Sequence, residues 1–402
     1  MSFSVWRGSP AGNFPGVSPE DPANGNGRFA EMPIFTTRRL IQTVVVVFLL
    51  LGAIYFLFPK LVGLGDALSK LDEADPLWIA IAIGFNVLAY ATYIALFKAV
   101  VGGDALRLTW KETYEINMAG VAGTLLFSAG GAGGIAVTYW ALRKAGMHRR
   151  DVARRMVAFV SLHYAFYPIA LIVFGVLLRT GVLNGKSSVE LTIIPAGVAG
   201  LMLILGVLIT LIPPDTESRL ARFAHSERSR SWLETAGKVP ATLGEGFRFA
   251  LSLFAHPRRG GLAVLGAAGF WAASIGVLWA SFHAFGVHVP LAVVVQGFFL
   301  GMVANLFPLA PAGVGAVDAG MIGAFVLFGI PEETVFPAIL IFRLVAFWMP
   351  IPPGIFAFFQ LRHTVHLWEE EGRPIDRGGE THSPVEEVAA VAFDGQEGYY
   401  KK

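Results

Sequence analysis

Two apolar stretches of this chain are each interrupted by glycine at mid-length. Few folds can place a broken helix at membrane depth, because hydrocarbon offers no partner for the freed backbone groups. The first stretch runs from about Tyr114 to Leu142 and breaks at Ser128-Ala129-Gly130-Gly131-Ala132-Gly133-Gly134. The second runs from about Val293 to Phe328 and breaks at Pro308-Leu309-Ala310-Pro311-Ala312-Gly313-Val314-Gly315. Each is followed by a short polar connector and an apolar span ending in proline, Met156 to Pro168 and Ala338 to Pro350. The connectors differ in charge: His148-Arg149-Arg150-Asp151 in one copy and Pro331-Glu332-Glu333 in the other. Because basic residues favour the cytoplasmic side, a repeated unit with oppositely charged connectors points to two copies inserted in opposite orientations.

The remaining segments are placed by the same charge rule. Of all residues 54% are hydrophobic and 15% charged, too few charges to coat a soluble globule, which carries about 25%, so the chain is expected to be a polytopic membrane protein. The near balance of 31 Lys and Arg against 29 Asp and Glu gives no basis for a nucleic-acid partner. With no cysteine, disulfides, thiolate metal sites and cysteine nucleophiles are excluded. Residues 1–37 and 363–402 read as disordered cytoplasmic tails on either side of a transmembrane domain over 38–362. Leu40–Phe58 is long enough to span. Leu77–Val101, Met156–Leu178, Leu191–Ile212, Leu262–Phe285 and Val335–Leu361 follow, making about six full crossings.

Both ends of the first broken stretch meet basic residues: Lys98, Arg107 and Lys111 before it, and Arg143, Lys144, Arg149, Arg150, Arg154 and Arg155 after it. A re-entrant hairpin is therefore expected, and a second one of opposite sense at Val293–Phe328. The fold expectation is an all-α polytopic bundle with inverted repeats over about 77–178 and 262–361, both termini in the cytoplasm and the plasma (inner) membrane as its location. Between Pro213 and Gly261, Val239, Leu243, Phe247, Ala250, Leu251 and Phe254 recur at helical spacing. That segment lies along the membrane surface or packs as a helix under the bundle.

Candidate site residues follow from the cost of polarity at membrane depth. Asp318 stands just after the second break, and Arg343 lies far inside the last apolar span. They form a buried structural pair, or Arg343 holds an anionic head group while Asp318 orients it or binds a proton. Free N–H groups at a broken helix attract anions, which adds Gly131, Gly133, Gly134, Pro311, Gly313 and Gly315 as substrate-binding candidates. The alternative for these glycines is close helix packing. Asn117 and Asn305 precede the breaks and cap freed backbone or touch substrate; His163 reads as a packed residue and Glu115 as an entry-level charge. No phosphate loop, zinc helix or nucleophile elbow occurs, so neither a cofactor nor a metal is expected.

At these residues the chain resembles the membrane domain of lysylphosphatidylglycerol synthases and its stand-alone, flippase-like relatives. The resemblance is carried by Pro311-Ala312-Gly313-Val314-Gly315-Ala316-Val317-Asp318, by Arg343-Leu344 with Phe347-Trp348-Met349-Pro350, and by the glycine break leading to Leu142-Arg143-Lys144-Ala145-Gly146. Asp318 stands where that family usually has Glu. The resemblance implies a lipid translocase rather than an enzyme, since the bifunctional relatives carry the lysyl transfer on a separate soluble domain. The implied substrates are an anionic phospholipid, a hopanoid or a polyprenyl-linked sugar. Alternatives are an intramembrane transferase using Asp318 as base, or a scaffold for a separately encoded transferase.

Overall fold

A computed structural model describes residues 70–102, 106–126, 132–213, 227–303 and 315–370. The two expected tails up to residue 37 and beyond 370, the expected first crossing Leu40–Phe58, and Gly131, Asn305, Pro311 and Gly313 lie outside the described residues. All described residues belong to one compact unit, Tyr55–Lys402.

Local chemistry sets the helix boundaries. Helix α1, Pro76–Val101, starts where Asp75 accepts the Leu77 N–H at 2.8 Å and Pro76 presets the first turn. Helix α2, Trp110–Leu126, opens with a reciprocal capping box: Glu112 accepts from the Thr109 N–H at 2.6 Å, and Thr109 Oγ1 accepts from the Glu112 N–H at 3.2 Å. Helix α3, Ala132–Lys144, ends at Gly146, whose φ of 100° lets the chain turn and bond back to Arg143 and Leu142. Helix α4, Arg149–Arg179, contains Pro168, and α5 covers Val189–Thr210. Then follow α6, Glu227–Ala255, α7, Pro257–His283, and the short pair α8, Leu291–Met302, and α9, Ala316–Leu327. Helix α10, Glu332–Arg343, passes through a π-helical turn, Leu344–Trp348, into α11, Ile351–Glu370.

Among the described residues five helical spans are long and apolar enough to cross a membrane: Pro76–Val101, Arg149–Arg179, Val189–Thr210, Gly260–His283 and Glu332–Glu370. They coincide with the five expected crossings that follow Leu40–Phe58. The last helix runs further than expected. Residues up to Glu370 remain helical because Trp368, 2% exposed, is packed against α2, so the expected boundary at 362/363 is corrected for this segment. Helix α6 takes the second of its two readings: it packs on α4, α5 and α7, with Ala241, Ala250 and Leu253 buried while Leu251 faces outward.

Both broken stretches fold back on themselves. In the first, a Cβ on Gly120 would meet Thr138 and one on Gly123 would meet the Gly133 carbonyl, so α2 and α3 run antiparallel in close approach. In the second, Gly297 faces Phe325 and Gly301 faces Met321, the same antiparallel register for α8 and α9. Small residues let the backbones touch, the usual device of helix pairs in membranes.

The two halves run in opposite directions. Trp78 meets Trp279 edge-to-face and His283 at a tilt, Phe85 lies by Gly276, Thr92 by Gly269 and Leu96 by Gly266, so α1 and α7 are antiparallel along their whole length. Exchanging α1 with α7, α2 with α8, α3 with α9 and α4 with α10–α11 preserves the neighbours: α2 packs on α11 as α8 packs on α4. The proline helices are tied crosswise. Asn86 of α1 donates to the Val345 carbonyl at 2.9 Å, and Trp271 of α7 donates to the His163 carbonyl at 2.7 Å, each five residues before Pro350 or Pro168. Proline lacks an N–H and disturbs the ladder just before it, so carbonyls there accept bonds from elsewhere.

Candidate functional site

Helix α9 begins where glycine permits it. Gly315 has φ 83° and ψ −51°, a backbone that side-chain-bearing residues rarely adopt, and its N–H donates to Asp318 Oδ2 at 2.9 Å. Asp318 therefore caps the first turn of α9 with one carboxylate oxygen. Its other oxygen, Oδ1, accepts from Arg343 Nε in an ion pair. The Arg343 side chain is 8% exposed and that of Asp318 16%. The guanidinium also lies over the Phe347 ring at 5.6 Å, a cation–π contact within the π-helical turn. Arg343 is the last residue of α10 and sits about 16 Å along the helix from Glu332 at ~1.5 Å rise per residue. The pair thus lies about a third of the way along the 39-residue helical span Glu332–Glu370.

The π turn explains how this place is held. One extra residue in the turn lets the Met349 N–H bond to Leu344 at 3.2 Å and leaves the Val345 carbonyl for Asn86. Asn86 is 4% exposed, and its bond is the buried tie between the first half and the segment that presents Arg343. A lone Asn inside the apolar run 77–101 marked it in the sequence, but nothing local named its partner 259 residues away. On the other side Tyr167 donates its hydroxyl to the Phe299 carbonyl, and Gln296, fully buried, donates to the Leu191 carbonyl at 2.9 Å. These bonds seat α8 against α4 and α5.

The structure brings Gly315, Asp318 and Arg343 together. Gly133 and Gly134 sit elsewhere, at the packed crossing of α2 and α3, where a Cβ on Gly134 would fall 2.0 Å from Thr124 Oγ1 and 2.4 Å from the Gly120 carbonyl. Their packing role is therefore visible. The two hairpins share no extensive packing with each other among the described residues. Asn117 is buried in the middle of α2, so it does not cap the break; its Oδ1 has no hydrogen-bond partner. His163 is a packed residue, enclosed by Tyr93, Phe159, Phe270 and Trp271.

Glu115 departs from its expectation as an entry-level charge. It is 0% exposed, and its Oε2 accepts from Thr364 Oγ1 of α11 at 2.7 Å. Glu112 is buried beside it, with Oε1 accepting from Trp368 Nε1 at 2.9 Å. Two glutamates just inside a basic helix entry look like solvated charges. The helix that covers them begins more than 200 residues later. Basic residues also have unanticipated work: Arg155 Nη1 reaches the Val100, Val101 and Gly102 carbonyls at 2.8–2.9 Å, and Arg248 reaches those of Thr210 and Ile212. Each arginine closes the carbonyl end of a crossing, where cations complement the helix dipole.

Fold and site together define a multi-pass α-helical membrane protein made of two opposed halves, each with a glycine-packed hairpin, and with one ion pair held inside the span of the second. The chain belongs to the family of the lysylphosphatidylglycerol synthase transmembrane region, whose model matches residues 39–354. Two similar curated relatives are both described as UPF0104 membrane proteins of Methanothermobacter thermautotrophicus. One is 33% identical over 87 residues, 22% of this chain and 26% of the relative; the other is 32% identical over 93 residues, 23% and 27%. The matched segments span about a quarter of each relative's length.

Proposed function

We propose that the protein is a lipid translocase that moves a polar-headed lipid between leaflets, the two hairpins entering the membrane from opposite faces. The observation that carries the reading is the Arg343–Asp318 pair at the head of α9, buried inside the last apolar span. A buried pair costs desolvation on both sides, and removing one partner strands a charge, so a pair kept at such depth offers a polar station that an incoming anionic group can share. Its presentation supports the same reading. The carboxylate also caps a helix, so it holds its place when Arg343 turns to another anion, and a lipid phosphate matches the guanidinium fork.

On this reading the substrate is an anionic phospholipid, a hopanoid or a polyprenyl-linked sugar, and the protein itself performs no covalent chemistry. It resides in the plasma membrane with both termini in the cytoplasm, the side to which the basic ends of the first hairpin are assigned. The test is leaflet exchange in liposomes. Purified protein should accelerate the loss of protected fluorescence from at least one labelled anionic or polyprenyl lipid, and Arg343→Gln should abolish the acceleration. Exchange at the protein-free rate for all three lipid classes would sink the proposal.

A further inference from the structure

The helical span formed by α10 and α11 is bonded to both hairpins, to the second through Arg343 and to the first near its far end. Arg343 holds Asp318 of α9. Thr364 stands 21 residues further along, about 32 Å at ~1.5 Å per residue. There the helix reaches the mouth of the first hairpin. Thr364 Oγ1 donates to Glu115 Oε2 at 2.7 Å, Trp368 Nε1 donates to Glu112 Oε1 at 2.9 Å, and Glu369 pairs with Lys144 of α3. Both limbs of that hairpin, α2 and α3, are thus tied to one helix. Between the two ends a Cβ on Gly354 would meet Ala122 and the Met118 carbonyl, so α11 lies directly on α2.

The second hairpin is closed differently. The offset that carries Pro76 onto Pro257 carries Glu112 onto Val293 and Glu115 onto Gln296. Val293 is buried beside the turn at Gly185, and Gln296 donates to the Leu191 carbonyl of α5. At these matching positions only the first hairpin carries carboxylates. Bonds to a carboxylate are strong, yet they can be exchanged for bonds to water when a seam opens, so they hold a closed position without making it permanent. Glu369 is half exposed and Glu115 fully buried, so water reaches the seam first from the Glu369 end.

We infer that α11 is a strap that closes the mouth of the first hairpin and links its opening to the Arg343–Asp318 pair. The link is mechanical. One continuous helical span carries both sets of bonds, so a shift at Arg343 moves Thr364 and Trp368 unless the π-helical turn Leu344–Trp348 absorbs it. Asn86 pins the Val345 carbonyl of that turn, which limits the absorption. A coupling of this kind is reciprocal: what loosens one end loosens the other by the same factor. If the protein is a translocase, the strap keeps the hairpins from opening independently; that role rests on the proposed function, and the strap itself does not.

The experiment is amide hydrogen exchange of the purified full chain in nanodiscs, read by mass spectrometry over residues 112–118 of α2 and 315–319 of α9. Asp318→Asn, which releases Arg343, should speed hydrogen exchange over 112–118 at least fivefold. In return Thr364→Val with Trp368→Phe should speed it over 315–319 by a similar factor. Helix α5, which bears none of these bonds, should exchange as in the wild type. Changes confined to the altered end, or a rise shared equally by α5, overturn the inference. A cross-link gives a second readout and serves if the Trp368 variant fails to fold. With Lys144→Cys and Glu369→Cys joined by a short bifunctional methanethiosulfonate, residues 112–118 should no longer respond to Asp318→Asn. The same reagent joining His363→Cys and Leu367→Cys within α11 should leave the response intact. Leaflet exchange of labelled lipid separates the two ideas: linked hairpins without movement of any lipid sink only the translocase, and lipid movement at the full rate in the 144–369 cross-linked protein sinks only the strap.

Discussion

Breaking the Arg343–Asp318 pair tests whether the second hairpin is held by charge or only by packing. Both side chains are largely buried, so removing either partner leaves an uncompensated charge, at a cost of about 3–5 kcal/mol. Asp318→Ala should cost a further ~1 kcal/mol, because the Gly315 N–H loses its cap. Asp318→Asn removes the charge but keeps a cap acceptor, so the gap between the two variants measures the cap alone. The double variant Asp318→Asn with Arg343→Met has no buried charge and should recover at least half of the single-variant loss. The assay is a double-mutant cycle on denaturant unfolding in mixed micelles, with a coupling energy of about 2 kcal/mol or more expected. Asp318→Glu should be well tolerated, since a Glu at the third helical position reaches back to the cap N–H. Single losses under about 1 kcal/mol that simply add would refute the reasoning and leave the pair as an incidental contact.

Three further outcomes follow from the geometry. Gly134→Ala and Gly301→Ala should each destabilise by about 1–3 kcal/mol or more, because the new methyl would fall 2.4 Å from the Gly120 carbonyl or 2.7 Å from the Met321 backbone; Gly84→Ala, with open space around it, should be neutral or stabilising in the same melts. Asn86→Leu should cost about 1–3 kcal/mol by orphaning the Val345 carbonyl, and hydrogen exchange should rise at the π turn rather than along α1. Single cysteines at Lys111 and His148, in a chain with no native cysteine, should label from one face of the membrane, and cysteines at Leu291 and Glu332 from the other. Labelling of Lys111 and His148 from opposite faces would show that α2 and α3 cross rather than re-enter.

Much of this architecture was legible in local pattern. An apolar run long enough to span is a property of consecutive residues, which is why the five described crossings fall where the hydropathy and charge of the chain place them. The breaks were equally visible, since glycine runs such as those before Gly134 and Gly315 interrupt any apolar helix. Asp318 and Arg343 were found because charge inside a span is rare. The sequence left open at them a structural pair or a head-group site; the structure shows them bonded across 25 residues.

Position along the chain cannot reveal a partner from another helix. Glu115 reads as an entry-level charge until Thr364 covers it from 249 residues away, and Glu112 is bonded by Trp368 from 256 residues away. The helical reach to Glu370, hidden in a polar tail, has the same cause, and Asn117 reads as a cap only until α2 is seen to continue past it. The sequence by itself determined which segments are apolar, where they break and which carry charge. The tertiary structure alone decided that α1 and α7 cross antiparallel, that Asn86 and Trp271 tie each proline helix to the opposite half, and that Glu112 and Glu115 of the first hairpin are buried against α11. Helix formation depends on neighbours within a turn or two, whereas satisfying a buried polar atom depends on whatever the fold brings within about 3 Å.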